Sequence, residues 1–474
     1  MSERLKFSVK LGRHSRRRSS EGSGPLSCVI LGEFSGAGVH PAIHKVDIDT
    51  LDTLVGRLQP KLAIPWDGAD QSLSLRFDAM DDFHPDRLLS RMEGLLPLTA
   101  DDESSAIPQD DAGQQAGQME QTSAQAESAQ QTLARLLGKQ PLQVEQRQHR
   151  AAAVADTKQS LIRSAVRRLA QGSLPPDEAS ESAMGMAHQA HPIQSATLLR
   201  RLLRNASFQA LEAHWRSVDW LLRSTEADED IRFHLLDTTR HALETALAAS
   251  GDPADSSLFR LIQQQVTTDH ASSETDIMLI ADFSFAPRRQ DIALLDGLGR
   301  IAASLGGSLI AAAERVFLQH HATDESSADA WHAFRETPAA SRISLLLPRI
   351  LLRLPYGTDT DPIDAFSFEE LDSNWEIKHL LWGNPAYAQA ILRIRQRLNE
   401  HGSGDTVISD LPAYSFERDG ERYLQPCTEV LLEERQARLL LDLGLIPVLG
   451  SGNMNCIQLP WHQTLAPIGS HSFE

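Results

Sequence analysis

The run Asp276-Ile277-Met278-Leu279-Ile280-Ala281-Asp282-Phe283 reads as a buried strand, and the order of the segments after it decides the fold. Asp291 to Leu305 carries a helical pattern, and Ser308-Leu309-Ile310-Ala311-Ala312-Ala313 reads as the next short strand. Strand, helix and strand at this spacing make a βαβ unit, because parallel neighbours need a crossover between them. A partly parallel sheet is therefore expected. Upstream, Phe208, Leu211, Trp215, Val218 and Leu222 recur at helical spacing with one buried face, and Ile231, Phe233 and Leu235 alternate like a strand. Downstream, Asn384-Pro385 reads as a cap followed by proline in the first turn of a helix whose stripe is Tyr387, Ile391, Ile394 and Leu398. Glu433 to Leu443 is expected to be helical up to Gly444, and Leu445 to Leu449 to return as a strand.

The first hundred residues form a second coherent pattern. Leu26 to Phe34 is an apolar strand candidate, and Leu73, Leu75 and Phe77 alternate as one face of another. Between them Leu51, Leu54, Val55 and Leu58 share a helical face, with Asp49 placed to cap it and Pro60 to end it. Phe83-His84-Pro85 leads into a helix buried through Leu88, Leu89, Met92, Leu95 and Leu96. From Asp101 the chain turns to Gln, Ala, Ser, Asp and Glu, which bury too little apolar surface to offset the entropy of ordering. Short helices there have apolar spots at Leu133, Leu136 and Leu137, and at Leu161, Ile162, Val166 and Leu169; they suit docking to a partner or to the chain's own domains. The fold class is thus α/β: two α/β domains with mixed sheets, 1–100 and 193–474, joined by a flexible, partly helical linker over 101–192.

Composition narrows the function. At 474 residues with 41% hydrophobic and only 5% aromatic content, the chain suits two or three soluble domains with aliphatic cores. The longest apolar runs, Ile277 to Ile280 and Ser344 to Leu352, fall short of a membrane span, and the start lacks a secretory signal, so no membrane insertion and a cytoplasmic location are expected. A net charge of −19 argues against a nucleic-acid partner. Lys6, Lys10, Arg13, Arg16, Arg17 and Arg18 make a local exception, read either as a solvated segment or as a contact for an acidic protein surface or nucleic acid. Cys28, Cys427 and Cys456 lack metal or redox spacing and are expected to be buried thiols.

Candidate chemistry is equally thin. Gly297-Leu298-Gly299 imitates a dinucleotide fingerprint but lies inside a helical pattern, where small residues serve close packing. Gly450-Ser451-Gly452 lacks the Lys of a phosphate loop and reads as a turn. His320 and His321 point apart instead of toward one metal. Glu369 and Glu370 read as ion-pair or hydrogen-bond partners, since nothing sets another carboxylate opposite them. No catalytic residue, metal or cofactor is expected.

Two stretches resemble known subunits. In the first hundred residues, Leu31-Gly32-Glu33-Phe34-Ser35-Gly36, Val46-Asp47-Ile48-Asp49, Leu58-Gln59-Pro60 and Met80-Asp81-Asp82-Phe83-His84-Pro85 are similar to elements of the small sheath subunit of the type VI secretion system. Over about 195–460, a longer ordered series resembles the large sheath subunit. It comprises Phe208 to Arg216, Ile280-Ala281-Asp282-Phe283, Leu347-Pro348-Arg349, Arg353-Leu354-Pro355-Tyr356-Gly357, Asp361-Pro362, Phe368-Glu369-Glu370, Leu381-Trp382-Gly383-Asn384, Pro426-Cys427-Thr428-Glu429-Val430 and Leu443 to Val448.

The resemblance implies two sheath-type domains in one polypeptide, paired intramolecularly, with the C-terminal portion of the large subunit lacking. It implies a structural or accessory component that docks with sheath, baseplate or tube proteins. Alternatives are a self-assembling reduced sheath protomer, or an adaptor that recruits an unfoldase through the linker; a metabolic enzyme is a more distant reading. The interface candidates are the basic start and Leu133, Leu136, Leu137, Leu161 and Ile162.

Overall fold

In a computed structural model, the described residues are 25–36, 42–65, 72–92, 194–225, 230–269, 275–319, 325–398, 406–418 and 421–467. The first stretch supplies β1 (Leu26–Gly32), β2 (Ala42–Val46), α1 (Leu51–Leu58), β3 (Lys61–Pro65), β4 (Ser72–Arg76) and α2 (Pro85–Met92). After helical residues 194–203 come α3 (Ala206–Ser224), β5 (Ile231–Asp237), α4 (Arg240–Ala248), α5 (Ser257–Asp269), β6 (Asp276–Phe285), α6 (Arg289–Ser304) and β7 (Ser308–Ala313). The remainder holds α7 (Glu325–Arg335), β8 (Ile343–Leu347), β9 (Ile350–Leu351), β10 (Trp382–Gly383), α8 (Ala386–Leu398), β11 (Val407–Ile408), β12 (Tyr414–Arg418), β13 (Glu421–Gln425), α9 (Glu434–Asp442), β14 (Ile446–Pro447), β15 (Leu449–Gly450) and β16 (Ile457–Gln458).

A seven-stranded sheet in the order β14-β8-β7-β6-β1-β5-β2 organises these elements. β1 lies parallel between β5 and β6, with Leu26 opposite Ile231 on one side and Asp276 on the other. β6, β7, β8 and β14 continue in parallel, while β2 pairs antiparallel at the edge. Both sides of the sheet are covered. Because side chains alternate along a strand, Cys28 and Ile30 of β1 enter a core with α1, α2, α3 and α8, whereas Val29 and Leu31 enter another with α4, α5, α6 and α7. Each aliphatic side chain so buried contributes about 1.5–3 kcal/mol.

The two stretches read as separate domains belong to the same compact unit and exchange backbone hydrogen bonds through β1. The stretch 101–192, with Leu133, Leu136, Leu137, Leu161 and Ile162, lies outside the described residues, as do Lys6, Lys10, Arg13, Arg16, Arg17, Arg18, His320 and His321.

Local differences have local causes. Thr50, not Asp49, is the N-cap of α1; Asp47 Oδ1 accepts from the Thr50 backbone N–H at 2.9 Å. Leu445 to Leu449 is not one strand: β14 pairs with β8, β15 turns away to pair with β16, and Val448 between them donates to the Leu347 carbonyl. Cys28 and Cys427 are buried as expected, but Cys456 is partly exposed. Gly297 and Gly299 do serve close packing, since a Cβ on Gly299 would stand 2.7 Å from Ile343 Cδ1.

Candidate functional site

Open α/β sheets present ligand crevices beyond the carboxyl ends of their strands. Here the chain's own side chains fill that edge around β1, β5 and β6. Asn205 starts α3 by accepting from the Ser207 and Phe208 N–H groups, which aims the helix across the edge. Trp215 Nε1 donates to the Phe34 carbonyl at 3.0 Å, and the Phe34 ring meets those of His214 and Trp215 edge-on. Asp237, the last residue of β5, accepts from the Phe34 and Ser35 N–H groups at 2.8 and 3.1 Å. The end of β1 is thereby fastened by residues some two hundred positions away.

Asp282 is the centre of this group. His214 Nδ1 lies 2.7 Å from its Oδ2, and the Tyr387 hydroxyl donates to the same oxygen at 2.8 Å. Burial disfavours charge on His214, but Asp282, with Glu33 and Asp237 nearby, overrides it and raises the imidazole pKa above its ordinary value. Burial and the Asp282 charge hold the Tyr387 phenol well above its usual range.

A second network lies beside it. Glu212, fully buried on α3, receives Arg216 at 2.7 Å and Arg353 at 2.8 Å. Arg353 also meets Glu370 at 2.7 Å, and Glu370 accepts the Tyr356 N–H at 2.8 Å. The Arg353 guanidinium stacks over the Tyr356 ring, whose hydroxyl accepts from Arg216. Burial works against the Glu212 carboxylate, but Arg353 and Arg216 hold its pKa below the ordinary range.

The N-terminal stretch packs onto this frame. Phe77 and Phe83 stack on each other and tilt against Phe208, and the His84 ring meets Tyr356 edge-on. Asp86 accepts from the Asp364 and Ala365 N–H groups. Farther along the carboxyl edge, the buried Glu429 carboxylate is held by Arg349 at 2.8 Å and Arg315 at 3.2 Å.

Chemically, these groups restrain one another: donors meet acceptors inside the protein, and each central carboxylate is engaged by cations or N–H groups. Among the described residues no His, Cys, Asp and Glu side chains gather to hold a metal ion. Glu370 is the ion-pair partner expected of it, and Glu369 accepts the Thr358 N–H. The Glu212 network was missed by sequence reasoning, although the Glu212 and Arg216 spacing was a legible local signal. Arg353 had no such signal, because its partners are distant in the chain. The expected interface residues all lie outside the described residues.

Residues 194–460 match the family model VipB, described as the EvpB/VC_A0108 tail sheath N-terminal domain. The chain is also similar to the type VI secretion system sheath protein TssC1 of Pseudomonas aeruginosa, with 28% identity over 276 residues covering 53% of this chain and 55% of the relative. It thus spans about half the length of that curated relative.

Proposed function

The chain belongs to the VipB tail sheath family through residues 194–460, and on that premise we propose that it is a structural or accessory component of a type VI contractile apparatus. Its first hundred residues serve as a small-subunit-like part and 193–474 as a large-subunit-like part, joined at one-to-one stoichiometry. Covalent linkage raises the effective concentration of one part at the other. The observation that carries this reading is the seating of β1 between β5 and β6, which makes the N-terminal stretch an integral strand of the sheath-family body.

Work is done by docking to sheath, baseplate or tube proteins in the cytoplasm. Sheath proteins form a structural family, and the self-satisfied ion pairs at the carboxyl edge suit a rigid body. Among the described residues no helix is long and apolar enough to cross a membrane. Affinity capture of the full chain from cells carrying the secretion machinery tests the proposal: sheath or baseplate subunits are expected to co-purify, and deletion is expected to change sheath length or number. Capture of none of these, together with unaltered sheaths in the deletion strain, would sink it. Electron microscopy of concentrated protein separates an accessory particle from a self-assembling protomer, since regular tubes mark the latter.

A further inference from the structure

We propose that Arg393, with the hydroxyls of Ser308 and Ser344, forms an oxyanion-binding site at the amino edge of the central sheet, at the opposite end of the strands from the Asp282 group. Arg393 projects from α8 toward the starts of β7 and β8. It donates to Ser308 Oγ at 3.0 Å and to Ser344 Oγ at 3.3 Å. Among the described residues no carboxylate pairs with it.

Other enclosed cations are compensated differently. Arg353 bridges two carboxylates and Arg216 meets one. Arg335 also lacks a carboxylate, but it closes on the Asp442 and Leu465 carbonyl oxygens, one of them at the negative end of α9. Hydroxyl oxygens offset far less charge. Burial accordingly lowers the Arg393 pKa with no opposing carboxylate.

The surroundings favour an anion. Ser344 Oγ donates its hydrogen to the Gln463 carbonyl at 2.9 Å, which orients a lone pair toward Arg393. Ser308 acts only as an acceptor among the described residues, so its O–H is available to a ligand. Burial and then the Arg393 charge lower the His462 pKa, and the neighbouring Arg397 is engaged by Asp276. A guanidinium with unused N–H donors beside a free hydroxyl matches a phosphate or carboxylate group, which accepts two parallel hydrogen bonds from the fork.

The test uses the full chain and isothermal titration with inorganic phosphate and with acetate, each against sodium chloride at equal ionic strength. Saturable binding is expected for at least one oxyanion and not for chloride. R393Q should weaken it by about tenfold or more, R393K by less, and S308A by an intermediate amount. Circular dichroism checks folding, and S308A keeps the test open if R393Q does not fold. Light scattering separates the sources: a constant mass through the titration marks a free oxyanion, whereas dissociation of copies by phosphate marks a protein carboxylate in the site. Heats equal to those of chloride, or binding unchanged in folded R393Q or, failing that, in S308A, would overturn the proposal.

Discussion

Replacing Arg353 with methionine removes the charge that links two buried carboxylates while keeping much of the apolar stem. In the folded chain Glu212 is fully buried and Glu370 is 1% exposed. The substitution leaves Glu212 with Arg216 alone, and Glu370 with the Tyr356 N–H. Losing one partner of a buried ion pair costs about 3–5 kcal/mol, because the remaining charge keeps its desolvation penalty.

The pH dependence supplies an independent signature. The folded pKa of Glu212 is depressed, so its stabilising contribution is fully present above the unfolded pKa and is lost as pH falls through the folded value. Without Arg353 the buried Glu212 carboxylate ionises less readily, and mild acid protonates it at little further cost. The deficit of the variant should therefore be largest near about pH 7 and shrink toward about pH 5. Urea unfolding followed by tryptophan fluorescence at both pH values measures it. A deficit under about 1 kcal/mol near neutrality, of the size expected for an exposed pair, or one that does not change with pH, would refute the reasoning.

Asp237→Ala should free the Phe34 and Ser35 N–H groups at a cost of about 2 kcal/mol, read as faster hydrogen exchange over residues 26–36 with the β7 amides unchanged. Gly299→Ala should lose about 1–3 kcal/mol from overpacking, because the new methyl group meets Ile343 and Ala339; thermal denaturation reports it. His214 has a raised folded pKa, so the stability it contributes is present below the unfolded pKa and is lost as pH rises through the folded value. His214→Gln should consequently flatten the decline in stability above about pH 6.5, measured by urea midpoints across that range.

Joining the two stretches through β1 has a consequence for folding as well as for assembly. A central parallel strand must find partners on both sides, and its contacts with β5 close a loop of about two hundred residues. Such non-local pairing is slow to form, because loop entropy is spent before the contacts compensate it. Holding both parts in one chain keeps that search intramolecular.

What the sequence by itself determined is local. Ser308 to Ala313 spans the strand it was expected to span, and Asn384 accepts the Ala386 N–H at the start of α8 as its cap role requires. Gly297 and Gly299 sit inside α6, where their lack of a side chain admits neighbours. Such features follow from periodicity, capping and backbone freedom within a few residues. Only the tertiary structure decided which strands lie together. The apolar run Leu26 to Phe34 is suited to a buried strand, but nothing in it names Ile231 and Asp276 as its neighbours. The same holds for Arg353 between Glu212 and Glu370, and for Arg393 on two serines in place of a carboxylate. Pairing and charge compensation depend on distances through space, and local pattern carries no record of them.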